Sequence, residues 1–250
     1  MLLISQPEKL WKMTGKLEFI QPGLYSSLQD QGRIIGRDWG IPEGGAMDRL
    51  SAKHANLIFN NPPDAPVLEI TQMGPTLLCH SEGQLAVSGA KISVFKNKEN
   101  LENPSLIDFQ KGDILKFGNT TEGIRSYISI KNGFKTNLLF ESTSPIAGIS
   151  SALRFKKGEL LYFDSSSSIS VTNARIKKPL LFQEPTIRTI PGPEYHLLSA
   201  SQKEILKITS FEIMPSATRM AYPLLPKNPL LKHTFSLITS PVVPLSLIHI

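Results

Sequence analysis

The chain has 250 residues, of which 40% are hydrophobic and 19% charged, enough apolar material to bury a substantial core in one large β domain or two smaller ones. Its net charge is +6, but the lysines and arginines are dispersed in short pairs such as Lys156-Lys157 and Lys177-Lys178, and the aromatics sit inside apolar runs, so nucleic-acid binding gains little support. The single cysteine, Cys79, excludes an internal disulfide framework and a cysteine metal cluster, and after Leu77-Leu78 it reads as a small buried hydrophobe.

In chain order, Met1-Leu2-Leu3-Ile4 is broken at once by Ser5-Gln6-Pro7-Glu8. No apolar run there is long enough for a signal peptide or a membrane helix, so a cytoplasmic protein without membrane contact is expected. Trp11-Lys12-Met13 lacks the methionine-flanked hairpin setting of a biotinylated lysine, so no biotin attachment is expected.

The stretch Gly23 to Asp48 carries the most information. Gln29, Asp30 and Arg33 lie between apolar strand-like segments, as a polar cluster on a loop held by a scaffold would; the Asp-Arg pair fits a surface ion pair equally well. Gly44-Gly45 precede a helix start, where close backbone approach and exposed amides favour an anion, although a glycine pair alone also fits a tight turn into a capped helix. The helix is predicted to begin at Asp48, which caps its first turn, and to run through Leu50, His54, Leu57 and Ile58 until Asn60-Asn61-Pro62-Pro63 stops it. Leu50, Leu57 and Ile58 are expected on its buried face, with His54 as a packing residue.

Short β-like runs follow at Val67–Thr71, Gln84–Ser88, Ile92–Phe95, Ile114–Phe117, Arg125–Lys131, Leu160–Phe163, Ile169–Thr172, Ile187–Ile190 and Phe211–Met214. Arg125 to Lys131 alternates polar with apolar, as a strand with one wet and one buried face does. Ser165 to Ser168 reads as a strand-joining loop. Many strands, 17 glycines, 19 prolines and no repeated βαβ pattern argue for antiparallel barrels or sandwiches with few helices. No phosphate-binding P-loop, His-Glu-x-x-His motif or nucleophile elbow occurs, and the five histidines are too scattered to predict a metal site.

Gly23-Leu-x-Ser-Ser-x-Gln-Asp-x-Gly-Arg33, Gly40-Ile-Pro-x-Gly-Gly-Ala-Met-Asp48, Ala55-Asn56, Asn60-Asn61 and Leu68-Glu69-Ile70-Thr71-x-x-Gly74-Pro75 occur in one order and spacing that resembles the family of the 5-oxoprolinase C subunit. That family is also called KipA or allophanate hydrolase subunit 2, and is similar to part of the carboxyltransferase region of urea carboxylase. Weaker echoes continue at Ser88-Gly89-Ala90, Lys111-Gly112-Asp113, Gly123-x-Arg125-x-Tyr127, Ser142-Thr143, Lys157-Gly158-Glu159 and Arg188-x-x-Pro191-Gly192-Pro193-Glu194.

The resemblance implies a mainly β fold of cyclophilin-like β-barrel halves with few short helices. It spans residues 15–244, with no fixed boundary between the halves. The tail 245–250 departs from the family, whose C-terminal part is then missing. The implied activity is that of one subunit in an ATP-dependent 5-oxoprolinase, hydrolysing 5-oxoproline to glutamate with two partner subunits, one of them allophanate hydrolase subunit 1-like. ATP would be used by the complex, and the chain alone would be inactive. Two alternatives are a KipA-like regulator that binds an inhibitor of a sensor histidine kinase, and a urea-carboxylase-like carboxyltransferase subunit that needs a separate biotin-bearing protein.

Opening a lactam means attacking a stable amide, which ATP coupling activates and which demands anion stabilisation. Under the resemblance, Asp30 or Asp48 orients a proton or donor, Gln29, Arg33, Arg125 and Arg219 bind substrate or an acidic group, and the Gly44 and Gly45 amides hold developing charge. The same residues also fit plainer roles: Asp48 as a cap only, Asp30 and Arg33 as a pair only, and Glu69 as a solvent-facing strand residue. The chain departs from the family where Thr218 replaces an acidic residue, Ala221 a glycine and Pro223 an arginine. Leu139-Phe140-Glu141 likewise occupies the start of a Gly-Ser-Arg-Ser-Thr segment.

Overall fold

The computed structural model describes residues 14–102, 104–165, 186, 188–219 and 221–227. The chain divides into two compact units, Met1–Gln183 and Glu184–Ile250. The strand expected at Ile169–Thr172, the lysine Lys12, the segment Ser240 to Pro244 and the tail beyond it lie outside the described residues.

The first unit contains β1 (Thr14–Gln21), β2 (Tyr25–Gln29), α1 (Arg49–Ile58), β3 (Val67–Thr71), β4 (Thr76–Cys79), β5 (Gly83–Lys96), β6 (Glu99–Leu101), β7 (Leu106–Phe109), β8 (Ile114–Ile130), β9 (Phe134–Lys135) and β10 (Leu160–Asp164). These strands form one antiparallel sheet in the order β2-β3-β8-β4-β1-β10-β9, with β5 pairing β8, β6 and β7. Strand β8 is 17 residues long and pairs β4 with its first half and β3 with its second, which curls the sheet into a half-barrel. Runs that look separate in the sequence, Gln84–Ser88 with Ile92–Phe95 and Ile114–Phe117 with Arg125–Lys131, are each joined into one strand, β5 and β8. Register shifts between Gly89 and Val94 bend the β5–β8 pair without ending it, which is how glycine punctuation acts at a bulge. The mainly β, half-barrel fold is the one the sequence implies.

The concave core gathers Leu17, Phe19, Leu68, Ile70, Ile128 and Phe163, all at most 1% exposed. Cys79 joins them, and burial raises its thiol pKa to about 12. On the opposite face of β3, β5 and β8 lies α1, which begins after Asp48 as the capping signal predicts. Its buried side differs from expectation. Leu50 and Leu57 are 54% and 60% exposed, and the helix instead buries Ser51, Ala52, Ala55, Asn56 and Ile58. Small residues let the helix axis come close to the sheet, and the two leucines, seven residues apart, share the outward side.

That packing also corrects the reading of Arg125–Lys131 as half-wet. Ser126 through Ile130 are all buried, because α1 covers the side that alternation alone assigns to water. Ser129 Oγ donates to Asn56 Oδ1 (2.7 Å), while Asn61 Nδ2 donates to Ile130 O (2.7 Å) and Asn132 N donates to Asn61 Oδ1 (2.8 Å). The Asn60-Asn61 helix stop is thus pinned onto β8, and Lys131 Nζ donates to Phe59 O at the helix end.

In the second unit, α2 (Ala200–Ile208) starts with a reciprocal capping box between Ser199 and Gln202, a local signal that the strand-dominated reading of the sequence passes over. β11 (Phe211–Ile213) pairs antiparallel with β12 (Leu224–Pro226). Of the strand expected at Ile187–Ile190, the first residue lies outside the described residues and the remaining three form no strand; Ile190 is 92% exposed and Pro191 follows, removing the amide that a ladder would need.

Candidate functional site

The loop leaving β2 folds back on itself, with Ala46 N donating to Asp30 O (2.8 Å) and Arg33 N to Glu43 O (2.8 Å). Into this loop the Arg33 side chain inserts almost completely, at 1% exposure. Its guanidinium donates to three carbonyls: Pro42 O (2.9 Å), Leu139 O (3.3 Å) and Ser144 O. Burial lowers its pKa from the usual arginine value, and the Asp30 charge opposes that shift. Asp30 accepts from Gly32 N (2.8 Å), Ser142 Oγ (2.7 Å) and Thr143 N (2.6 Å). A surface Asp-Arg pair is therefore not what forms. Both residues are buried, and their hydrogen bonds go to loop backbone and hydroxyl groups that would otherwise lie unsatisfied.

Gly44 and Gly45 adopt φ of 65° and 89°. A Cβ on Gly44 would meet Ser144 Cβ at 2.8 Å, and one on Gly45 would meet Gly32 N at 2.8 Å, so close approach as well as handedness demands glycine here. The Gly45 amide donates to Ser144 Oγ (2.7 Å), which donates to Gln29 Oε1 (2.7 Å), and Gln29 Nε2 donates to Ser27 Oγ (2.9 Å). Gln29, Asp30, Arg33, Gly44 and Gly45 thus meet around Ser142 and Ser144.

Asp48 caps α1, accepting from Ser51 N (3.0 Å) and from Ser51 Oγ. The backbone just before the helix is gripped from the sheet: Met47 N donates to Glu69 Oε2 (2.9 Å), Asp48 N to Tyr127 Oη (2.8 Å), and Tyr127 Oη to Glu69 Oε2 (2.9 Å). Glu69 and Tyr127 are register partners on β3 and β8, and both are fully buried. Glu69 therefore does not face solvent: its side of β3 lies under the loop that enters α1. Burial raises the Tyr127 pKa, keeping the phenol protonated as a donor. Two residues before Tyr127, and so on the same face, Arg125 brings Nε to 3.8 Å from Glu69 Oε1 with its side chain 14% exposed.

Arg219 belongs to the second unit, in the turn after β11. His54 is half-buried on α1, with Nδ1 enclosed and unpartnered, and Gln31 Nε2 and Thr143 Oγ1 beside Asp30 in sequence and hydrogen bonding share that state. Among the described residues no group of three or more His, Cys, Asp or Glu is placed to hold a metal ion, and no helix is long and apolar enough to cross a membrane. The network members missed as site residues by sequence reasoning are Glu69, Tyr127, Ser142 and Ser144. The first three stand inside motif segments that the sequence displays, but only the fold shows that those segments converge.

The comparisons with known proteins bear on the family and the fold. A family model described as carboxyltransferase domain, subdomain A and B, matches residues 39–249. The chain is 28% identical to the C subunit of 5-oxoprolinase from Escherichia coli (strain K12), over 87% of this chain and 70% of that protein. It is 34% identical to urea amidolyase of Lachancea kluyveri over 52% of this chain and only 7% of that much longer protein. The solved urea amidolyase of K. lactis superposes with a TM-score of 0.67 at 26% identity, covering 86% of this chain and 14% of that one. The structure of TTHA0988 gives a TM-score of 0.71 at 23% identity over 87% of this chain and 43% of that one, a likeness of fold alone.

Proposed function

The chain belongs to the carboxyltransferase domain, subdomain A and B, family, and from that premise we propose that it serves as one subunit of an ATP-dependent 5-oxoprolinase, hydrolysing 5-oxoproline to glutamate together with two partner subunits. The similarity to the 5-oxoprolinase C subunit over most of both chains carries this reading. Supporting it, segments far apart in sequence are tied into two buried polar networks, one joining Gln29, Asp30 and Gly45 to Ser142–Ser144 and the other joining the Met47 and Asp48 amides to Glu69 and Tyr127.

In this reading Arg125 binds the carboxylate of 5-oxoproline and Glu69 holds it in place, since a guanidinium beside a buried carboxylate is confined in direction. The Met47 and Asp48 amides, bonded to Glu69 and Tyr127, keep the helix start fixed against the sheet, and the Asp48 side chain caps it. Asp30, already accepting from three donors, serves to hold the 142–144 segment and not as a free base. The ATP is handled by the complex, and the protein acts inside the cell where its partners are made.

Purified chain combined with its two genomic-neighbour subunits should form glutamate from 5-oxoproline only when ATP is supplied, and the chain alone should form none. A complex confirmed by sedimentation that produces no glutamate would overturn the enzyme reading. It would leave the KipA-like binding role.

A further inference from the structure

We propose that the Phe140–Glu141 turn and Trp39 form a docking surface for an arginine-bearing segment of a partner protein in the assembly, an inference that rests on the multi-subunit reading above. Leu139 N donates to Ser142 O (2.8 Å) and Ser142 N to Leu139 O (3.1 Å), closing a two-residue turn. Its central residues, Phe140 and Glu141, sit at φ of 49° and 61°. A turn with both central residues left-handed favours asparagine and glycine; an aromatic and a long acid are unfavourable there. Such strain persists where the surroundings over-determine the conformation. Here they do, because Arg33 Nε donates to Leu139 O, while Ser142 Oγ and Thr143 N donate to the buried Asp30 carboxylate.

What the clamped turn presents is specific. Glu141 is exposed, and Phe140 meets Trp39 edge-on with ring centroids 6.4 Å apart. Trp39 is 76% exposed and Ile34, on the same loop, 77%. The loop base is nonetheless held by its own backbone bonds, Arg33 N to Glu43 O (2.8 Å), Trp39 N to Gly36 O (3.0 Å) and Ile41 N to Gly36 O (3.0 Å), with Glu43 also pairing with Arg37 (2.8 Å) and Arg49. A tryptophan exposed on a fixed base is the kind of residue that anchors a protein interface. Side chains this exposed do not enclose a small molecule, and the chemistry they combine, exposed aromatic rings with the acids Asp38 and Glu141 next to them in the chain, matches a planar guanidinium that stacks on a ring and pairs with an acid through two hydrogen bonds. On a chain of net charge +6, an acid set on this turn also gives the partner a local sign to match.

Titration calorimetry of the chain against the allophanate hydrolase subunit 1-like partner tests this. Trp39→Ala should weaken binding about thirtyfold, and Glu141→Arg at least about tenfold, both with unchanged melting temperature because neither side chain is buried. Glu141→Gly should raise the melting temperature while weakening binding, and exchanging an interfacial arginine of the partner for glutamate should restore affinity for Glu141→Arg. A wild-type complex unaffected by either substitution overturns the surface and leaves the proposed function intact; a wild-type chain that binds neither partner overturns both. Sensitivity to Trp39→Ala with indifference to Glu141→Arg overturns the guanidinium. A homodimer abolished by Trp39→Ala overturns the partner in favour of a second copy of the chain.

Discussion

The two faces of β3 are both buried, yet they are held by different physics. Leu68 and Ile70 point into the concave core, where burial is stabilising whatever the exact contacts. Val67 and Glu69 point to the face beneath α1, where Glu69, Tyr127, Ser129, Asn56 and Asn61 are tied by bonds of fixed direction. The core face makes the half-barrel stable. The polar face fixes where the helix start and Arg125 stand, which is what a site requires and hydrophobic contact alone does not provide.

Two substitutions on neighbouring residues break the comparison most sharply. Leu68→Ala should cost about 2–5 kcal/mol, from lost burial and a residual cavity. Glu69→Ala should cost about 3–5 kcal/mol, because it removes the carboxylate beside Arg125 and leaves the Met47 amide and the Tyr127 hydroxyl without their acceptor. The costs are similar and the patterns differ. In hydrogen exchange, Glu69→Ala should release the Met47 and Asp48 amides well before global unfolding, whereas Leu68→Ala should lower protection everywhere together. If Glu69→Ala costs under about 1 kcal/mol, the polar face does not anchor the helix.

The same division explains what is legible in the sequence. Core strands such as Val67–Thr71 and the capped helix at Asp48 can be read directly, because alternation, capping and proline stops are local signals. The polar face cannot. Leu50 and Leu57 look like a buried stripe until Ala52 and Ala55 prove to be the contact side, and Glu69 looks solvent-facing until α1 covers it. The Asp30–Arg33 pair looks like a surface ion pair because nothing near it in sequence announces that Ser142 to Ser144, more than a hundred residues away, supplies the donors and acceptors. Burial by a non-local partner leaves no periodicity behind.

A smaller effect probes the border between the faces. Asp48→Ala removes the acceptor of Ser51 N and should cost about 1 kcal/mol, the usual worth of an N-cap. Asp48 N itself is held by Tyr127 Oη, so the helix start should stay docked. Calorimetric melting combined with exchange at Met47 separates the two: stability should fall while Met47 protection relative to the global value is kept. Loss of both would mean that the cap, and not Glu69 with Tyr127, holds the junction together.

The smallest effect lies at the exposed margin, on the loop that carries Trp39. The hydrogen bond from Arg49, with attraction from Arg49 and Arg37, lowers the Glu43 pKa, and burial opposes that shift. A carboxyl with a depressed folded pKa contributes stability that is fully present above its unfolded value, about 4.3, and lost as pH falls through the folded value. The arginines are half-exposed, so solvent screening limits the contribution to a few tenths of a kcal/mol. Melting curves of the wild type and Glu43→Gln from pH 6 down to about 3 should therefore start slightly apart and converge on acidification. Asp113, whose pKa is also lowered, chiefly by the Gln110 amide, is common to both proteins and cancels in the difference. A gap that stays constant with pH would show that the ionised Glu43 does not hold this loop, and the fixed base assigned to Trp39 would then rest on the Phe140 contact and the loop's own backbone bonds.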